Sequence, residues 1–259
     1  MSHRDAAQVL LDMRRSGRIE PDLPAELRPT DLESAYAIQA LLVDSLLPDG
    51  AEAVGYKCAC TSEIAQQALR IDRPVFGRLL SHTTSASGVA LPAEGFTHRV
   101  MEAEFGIRIG RDVDGRDGGH TAESIIPFVD AVIPAIEIVD YRYADWTVGA
   151  LAVAADNAIH GWWIQGEPVT DWQGLDLAAT EVTASVNGEV VTRGSGANAL
   201  GHPLSVVAWL ADELPRFGRQ LRRGDLVTTG VVTDVFEAGS GDAVTAEFAG
   251  LGTVELSFT

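Results

Sequence analysis

From Arg99 to Gly110 the chain alternates with a period of two. Met101, Ala103, Phe105, Ile107 and Ile109 are apolar, whereas Val100, Glu102, Glu104, Gly106 and Arg108 share the opposite face. Only an extended strand puts alternate residues on one side, so Glu102 and Glu104 are expected to point the same way. Upstream the period is helical. Ala6, Val9, Leu10 and Met13 form one stripe closed by Gly17, and Leu32, Ala35, Tyr36, Ile38, Leu42 and Leu46 form a second, with Thr30 and Glu33 as its capping box and Pro48 and Gly50 as its end. A short third helix is expected from about Ser62, carrying Ile64 and Leu69. Downstream, strands are read over Ala131 to Val139, Leu226 to Thr229, Ala243 to Phe248 and Thr253 to Phe258. Glu181 to Thr192 reads as a hairpin about Asn187-Gly188, and Pro203 to Phe217 as a helix closed by Gly218. Helices first and mostly strands afterwards give the class α+β, with a mainly helical region over residues 1–80 and a β-rich domain over 81–259.

The 259 residues are long enough for a substantial core, and 37 acidic against 19 basic side chains leave a formal charge of -18. Such a field repels phosphate backbones and anionic membranes, so nucleic acid and membrane are not expected partners. No apolar run reaches the roughly 20 residues of a membrane helix, and the first residues lack a signal-peptide pattern, so a cytoplasmic protein is expected. Cys58 and Cys60 are too close for an ordinary disulfide and too few for a zinc site, and read as packing residues.

Lys57 is the only lysine beside 18 arginines. Its neighbours in AVGYKCAC are small or apolar, where desolvation pushes an ammonium toward its neutral form; a lysine snorkelling from a strand end is the equal alternative. Glu102 and Glu104 alone would be a solvated acidic face. Glu137, set in the apolar run IPAIEIV, changes the balance, because a buried carboxylate needs a partner or a cation. Three converging carboxylates suit Mg²⁺ or Mn²⁺. The histidines at 3, 82, 98, 120, 160 and 202 show no paired ligand spacing, which disfavours a zinc hydrolase. Ser195, in RGSGANALG, lacks a nucleophile elbow and reads as part of a loop near a ligand. The glycines form no phosphate cradle, so nucleotide binding has no support.

The ordered blocks GYKCACTS, RVMEAEF, AIEIVDYRYADW, AADNAIHG, GSGANALGHPLSVVAWLADEL, GDLVTTG and GDAVTAEFAGLGTVELSF resemble the 2-keto-4-pentenoate hydratase and oxalocrotonate decarboxylase group of the fumarylacetoacetate hydrolase superfamily. The resemblance spans nearly the whole chain. It implies a mixed β-rich core behind a small helical region, a homo-oligomer, and Mg²⁺ or Mn²⁺ held by Glu102, Glu104 and Glu137. It places the family's active-site lysine on Lys57 and implies a small 2-oxo or 2-hydroxy carboxylate substrate. For a hydratase, a 2-hydroxy-2,4-dienoate would tautomerise to the 2-oxo-3-enoate and then add water, with Lys57 binding substrate oxygens or relaying a proton.

The chain departs from that pattern. Where many hydratases of the group read PDFG, this sequence has Pro74-Val75-Phe76-Gly77, and a valine cannot exchange protons. Tyr141 replaces a serine, Ile159 and His160 follow Asp156-Asn157-Ala158, and Ala59-Cys60 replaces a glycine-bearing pair. His160 is the candidate replacement acid–base group, with a packing histidine as the alternative. Three readings stay open: a hydratase of aromatic or steroid ring degradation or of a biosynthetic branch, a decarboxylase or carbon–carbon hydrolase on the same chemistry, and a non-catalytic partner subunit. The three glutamates and the lone lysine speak against the last.

Overall fold

A computed structural model describes residues 2–62, 65–67, 71–115, 117–145 and 148–259. Helix α1, His3–Ser16, buries Ala6, Leu10 and Met13 and stops where Gly17 adopts φ +64°. Helix α2, Leu32–Leu46, starts one residue later than its sequence pattern indicated. Asp31, not Thr30, is the N-cap, and its partner is Ser34, not Glu33: the Ser34 N–H donates to Asp31 Oδ1 at 2.8 Å and Ser34 Oγ accepts from the Asp31 N–H at 3.2 Å. The shorter Asp–Ser pair closes the same reciprocal box. Residues 65–67 are helical, with the Ala65 N–H donating to Ser62 Oγ at 3.1 Å, while Ile64 and Leu69 lie outside the described residues.

The strands form two sheets. The larger takes β1 (Ala53–Ala59), β2 (Val75–Leu80), β3 (Thr84–Ala86), β5 (Val100–Ile109), β6 (Val129–Val139), β7 (His160–Gln165), β10 (Leu226–Val231) and β11 (Phe236–Glu237). Its order is β2-β1-β10-β5-β6-β7-β3, with β11 beside β5. The smaller sheet runs β4-β13-β12-β8-β9, from Val89–Leu91, Gly252–Phe258, Ala243–Phe248, Glu181–Val186 and Glu189–Ser195. At the β8–β9 turn Asn187 and Gly188 take φ +52° and +81°, as a two-residue hairpin requires. Because β1 and β2 belong to the large sheet, the division at residue 80 falls within one hydrogen-bonded layer, and the helical part ends with α2.

Both faces of the large sheet are covered. Phe105, on the odd face of β5, meets Phe248 of the smaller sheet edge-on at 5.1 Å. The other face is concave: the sheet curls until Leu79 of β2 packs with Ile133, Ala135 and Trp163 of β6 and β7. Glu102 and Glu104 therefore sit inside a fold and not on a solvated surface. Outside the curl, α2 stacks Tyr36 on Phe76 at 4.1 Å, and Gln39 Nε2 donates to the carbonyls of Phe76 and Ala154 at 2.8 Å each. Further helices among the described residues are α3 (Ala122–Ile125), α4 (Ala150–Ala155) and α5 (Pro203–Glu213). No helix among the described residues is long and apolar enough to cross a membrane.

Candidate active site

Backbone register builds the carboxylate group. In the antiparallel β5–β6 pair Glu102 stands opposite Glu137, and Glu104 follows two residues on along the same face. One carboxylate oxygen from each of the three lies within 4.8 Å of the others. Lys57 reaches them from β1, with 1% of its surface exposed. Beside them lies a small cavity of ≈ 50 Å³, lined by Lys57, Thr61 and Glu102 and walled by Val139, Val153 and Ile159.

Lys57, Glu137 and Glu104 are each held from behind. Lys57 Nζ donates to the Ala158 carbonyl at 2.9 Å and lies 3.2 Å from Glu137 Oε2, an ion pair whose angles fall short of a hydrogen bond. His160 Nδ1 lies 2.7 Å from Glu137 Oε1. The Gly230 N–H donates to Glu104 Oε2 at 3.2 Å. That glycine has φ +84°, and a Cβ there would fall 2.0 Å from Thr61 Oγ1, so only glycine fits. Glu104 Oε1 is buried with no hydrogen-bond partner among the described residues. An orphaned carboxylate oxygen in a three-carboxylate cluster fits a hard divalent cation, which takes oxygen ligands and neutralises their repulsion. The cluster could hold a metal ion.

The charges bias one another strongly. Burial, then the charges of Glu137 and Glu102, push the Glu104 carboxyl well above its usual range, and burial also raises Glu102. Burial alone would raise Glu137 too, but Lys57 and His160 outweigh it and hold it low. For Lys57 burial favours the neutral amine, and the three glutamates overcome it, so the ammonium is held above its ordinary value. Of the two equal readings of the sequence, desolvation toward the neutral amine is opposite in direction and a head snorkelling into water does not fit 1% exposure, because the strands that supply the carboxylates are remote from AVGYKCAC in the chain.

Lys57, Glu102, Glu104 and Glu137 are thus brought together. His160 is placed behind Glu137, with 2% exposure, and is not among the residues lining the cavity; burial lowers its pKa despite Glu137. Val75 is fully buried opposite Ala59, which does line the cavity. Ser195 ends β9, and the loop after it donates the Leu200 N–H to the Thr61 carbonyl at 2.9 Å, closing against the segment that follows Lys57. Cys58 and Cys60 are buried free thiols. Gly230, Thr61 and the valine wall were not singled out from sequence; the adjoining Thr-Thr-Gly was the available signal for the first, while apolar cavity walls look like any core.

Residues 55–259 match the family model described as fumarylacetoacetate hydrolase, C-terminal. The chain is 34% identical to a 2-keto-4-pentenoate hydratase of Paraburkholderia xenovorans strain LB400, over 98% of this chain and 94% of that one. It is 32% identical to a 2-hydroxyhexa-2,4-dienoate hydratase of Comamonas testosteroni, over 97% and 96%. Among solved structures, 4-oxalocrotonate decarboxylase from Pseudomonas putida G7, complexed with magnesium and adipate, superposes with a TM-score of 0.92 at 28% identity, covering 99% of this chain and 97% of that one.

Proposed function

The chain belongs to the fumarylacetoacetate hydrolase family, and from that premise we propose that it is a metal-dependent hydro-lyase, adding water to a 2-hydroxy-2,4-dienoate to give a 4-hydroxy-2-oxo acid. The observation that carries this reading is the convergence of Glu102, Glu104 and Glu137 with the single lysine beside one small cavity. Hydratases similar over nearly the full length support the reaction class.

Glu102, Glu104 and Glu137 would hold Mg²⁺ or Mn²⁺. A divalent ion there supplies Lewis acidity toward the substrate's carboxylate and C2 oxygens, favouring the enolate form. The protein's own groups do the rest. An ammonium has three donors; Lys57 commits one to Ala158 and leans a second toward Glu137, leaving the third for a substrate oxygen in the cavity. Held in its charged form, Lys57 serves as donor and electrostatic stabiliser in the resting site. His160 orients Glu137 and does not carry a proton to substrate. The valine and isoleucine wall faces the hydrocarbon end of the substrate. Net chemistry balances as a proton shift from the 2-hydroxyl to C5, then addition of water with oxygen to C4 and a proton to C3.

The decarboxylase likeness favours one second reading, loss of CO₂ from an analogue carboxylated at C5, where the electron pair left behind is delocalised through C3=C4 onto the C2 oxygen. Incubation in heavy water with Mg²⁺ and both substrates, followed by NMR, separates them: a 4-hydroxy-2-oxo acid deuterated at C3 and C5 is expected, and CO₂ release without hydration would replace this reading by the second. The reading includes a cytoplasmic homo-oligomer; light scattering tests the assembly.

A further inference from the structure

Between α4 and β7 the backbone does something unusual. Asn157, Ala158 and Ile159 take φ +52°, +50° and +53°, three consecutive non-glycine residues in the left-handed region, one of them β-branched. L-residues avoid this conformation, and asparagine tolerates it best. All three are buried. Such strain persists only where the surroundings over-determine it, and it clusters at functional sites.

What determines it is visible. Asn157 reads both backbone groups of Arg78: its Oδ1 accepts from the Arg78 N–H at 2.7 Å, and its Nδ2 donates to the Arg78 carbonyl at 3.0 Å. Gly77 makes room, since a Cβ there would lie 2.5 Å from the Asn157 carbonyl oxygen. Arg14 of α1 spans the turn, donating to Asp156 Oδ1 at 2.7 Å, to the Asp156 carbonyl at 2.8 Å and to the His160 carbonyl at 3.0 Å. What the turn delivers is equally specific: the Ala158 carbonyl meets Lys57 Nζ, and the next side chain, His160, meets Glu137. A right-handed turn would send that carbonyl elsewhere.

The geometry points to Asn157 as a positioning residue: together with Arg14 it locks a left-handed turn that aims one carbonyl at Lys57 and sets His160 against Glu137. The N-terminal helix is therefore part of the construction of the site. In rate terms the inference rests on the hydratase reading; in structural terms it does not.

Because Lys57 is the only lysine, protein made with lysine labelled with ¹³C at Cε gives one side-chain methylene signal, a direct report on this ammonium. Asn157→Gly removes the grip on Arg78 while glycine takes left-handed φ without strain. Expected are a displaced Lys57 signal and a kcat on 2-hydroxypenta-2,4-dienoate lowered about 10- to 100-fold with KM little changed, the usual effect of losing an orienting partner. Asn157→Asp, which keeps the acceptor for the Arg78 N–H, should recover part of both. A wild-type Lys57 signal in Asn157→Gly, with kcat within about twofold of wild type, overturns the inference, because loss of such a partner costs more than that. If Asn157→Gly does not fold, Arg14→Gln is read in the same way. If the wild-type enzyme does not turn over the dienoate, the hydratase reading fails and the Lys57 signal alone decides the positioning role.

Discussion

Glu102 and Glu137 are register partners across the β5–β6 pair. Two of the three clustered carboxylates are thus fixed by backbone hydrogen bonding, with Glu104 two residues along on the same face. The convergence is a property of the sheet, not of flexible side-chain reach.

Three clustered carboxylates that repel one another, two of them on buried residues, should be relieved by a cation. Adding Mg²⁺ or Mn²⁺ to metal-free protein is expected to raise Tm, since a ligand at a hundred times its Kd contributes about 2.7 kcal/mol. Calorimetric titration of wild type against the Glu104→Gln, Glu137→Gln double variant checks this: the double variant should show no saturable binding and no Tm gain. Equal affinity in the two proteins would remove the metal from the site.

Lys57→Met should lower turnover by about 10²–10⁴-fold, the range for a positioned charged or proton-bearing group. It also leaves Glu137 without its ammonium, and breaking one partner of a buried pair costs about 3–5 kcal/mol. A marked Tm loss in the metal-free protein, partly restored by Mg²⁺, is therefore expected alongside the rate loss. Unchanged turnover in folded protein would leave Lys57 with a structural role alone, as the counter-charge of Glu137.

Val75 lies on the same face of β2 as Gly77 and Leu79, opposite Ala59. An aspartate there would stand next to the cavity wall. Val75→Asp is expected to raise hydration per folded molecule, given that an acid–base group contributes about 10²–10⁴-fold, and to lower Tm because the carboxylate is buried. Rates normalised to the folded fraction decide the matter; folded protein without a gain in rate shows that the chain does not need the missing carboxylate.

His202 is the N-cap of α5, its Nδ1 accepting from the Leu204 N–H at 3.0 Å. Burial lowers its pKa in the fold, against the pull of Asp176 and Glu123. The unfolded chain therefore binds a proton first, so the cap's contribution is complete above about pH 6.5 and is lost as pH falls through the lower folded value. A cap is worth about 1 kcal/mol. Wild type should lose a few degrees of Tm more than His202→Asn between pH 8 and pH 5.5, since asparagine caps without titrating. Parallel Tm curves would contradict the assignment.

Local pattern was enough to set the elements and the cast of residues. Period-two alternation marked β5, Asn187-Gly188 marked the β8–β9 hairpin, and glycines 17 and 218 marked helix ends, because each depends on neighbours a few residues away. Ordered motifs singled out Glu102, Glu104, Glu137 and Lys57. What those groups do to one another follows from the packed fold. Lys57 is held charged because carboxylates from β5 and β6 meet it across the sheet. Asp31 displaced Thr30 as the cap of α2, His160 turned inward to Glu137, and residues 157–159 took a left-handed turn gripped by Arg78 and Arg14. Charge balance, burial and strain are sums over partners that are distant in the chain, and those partners become neighbours only once the sheet has curled.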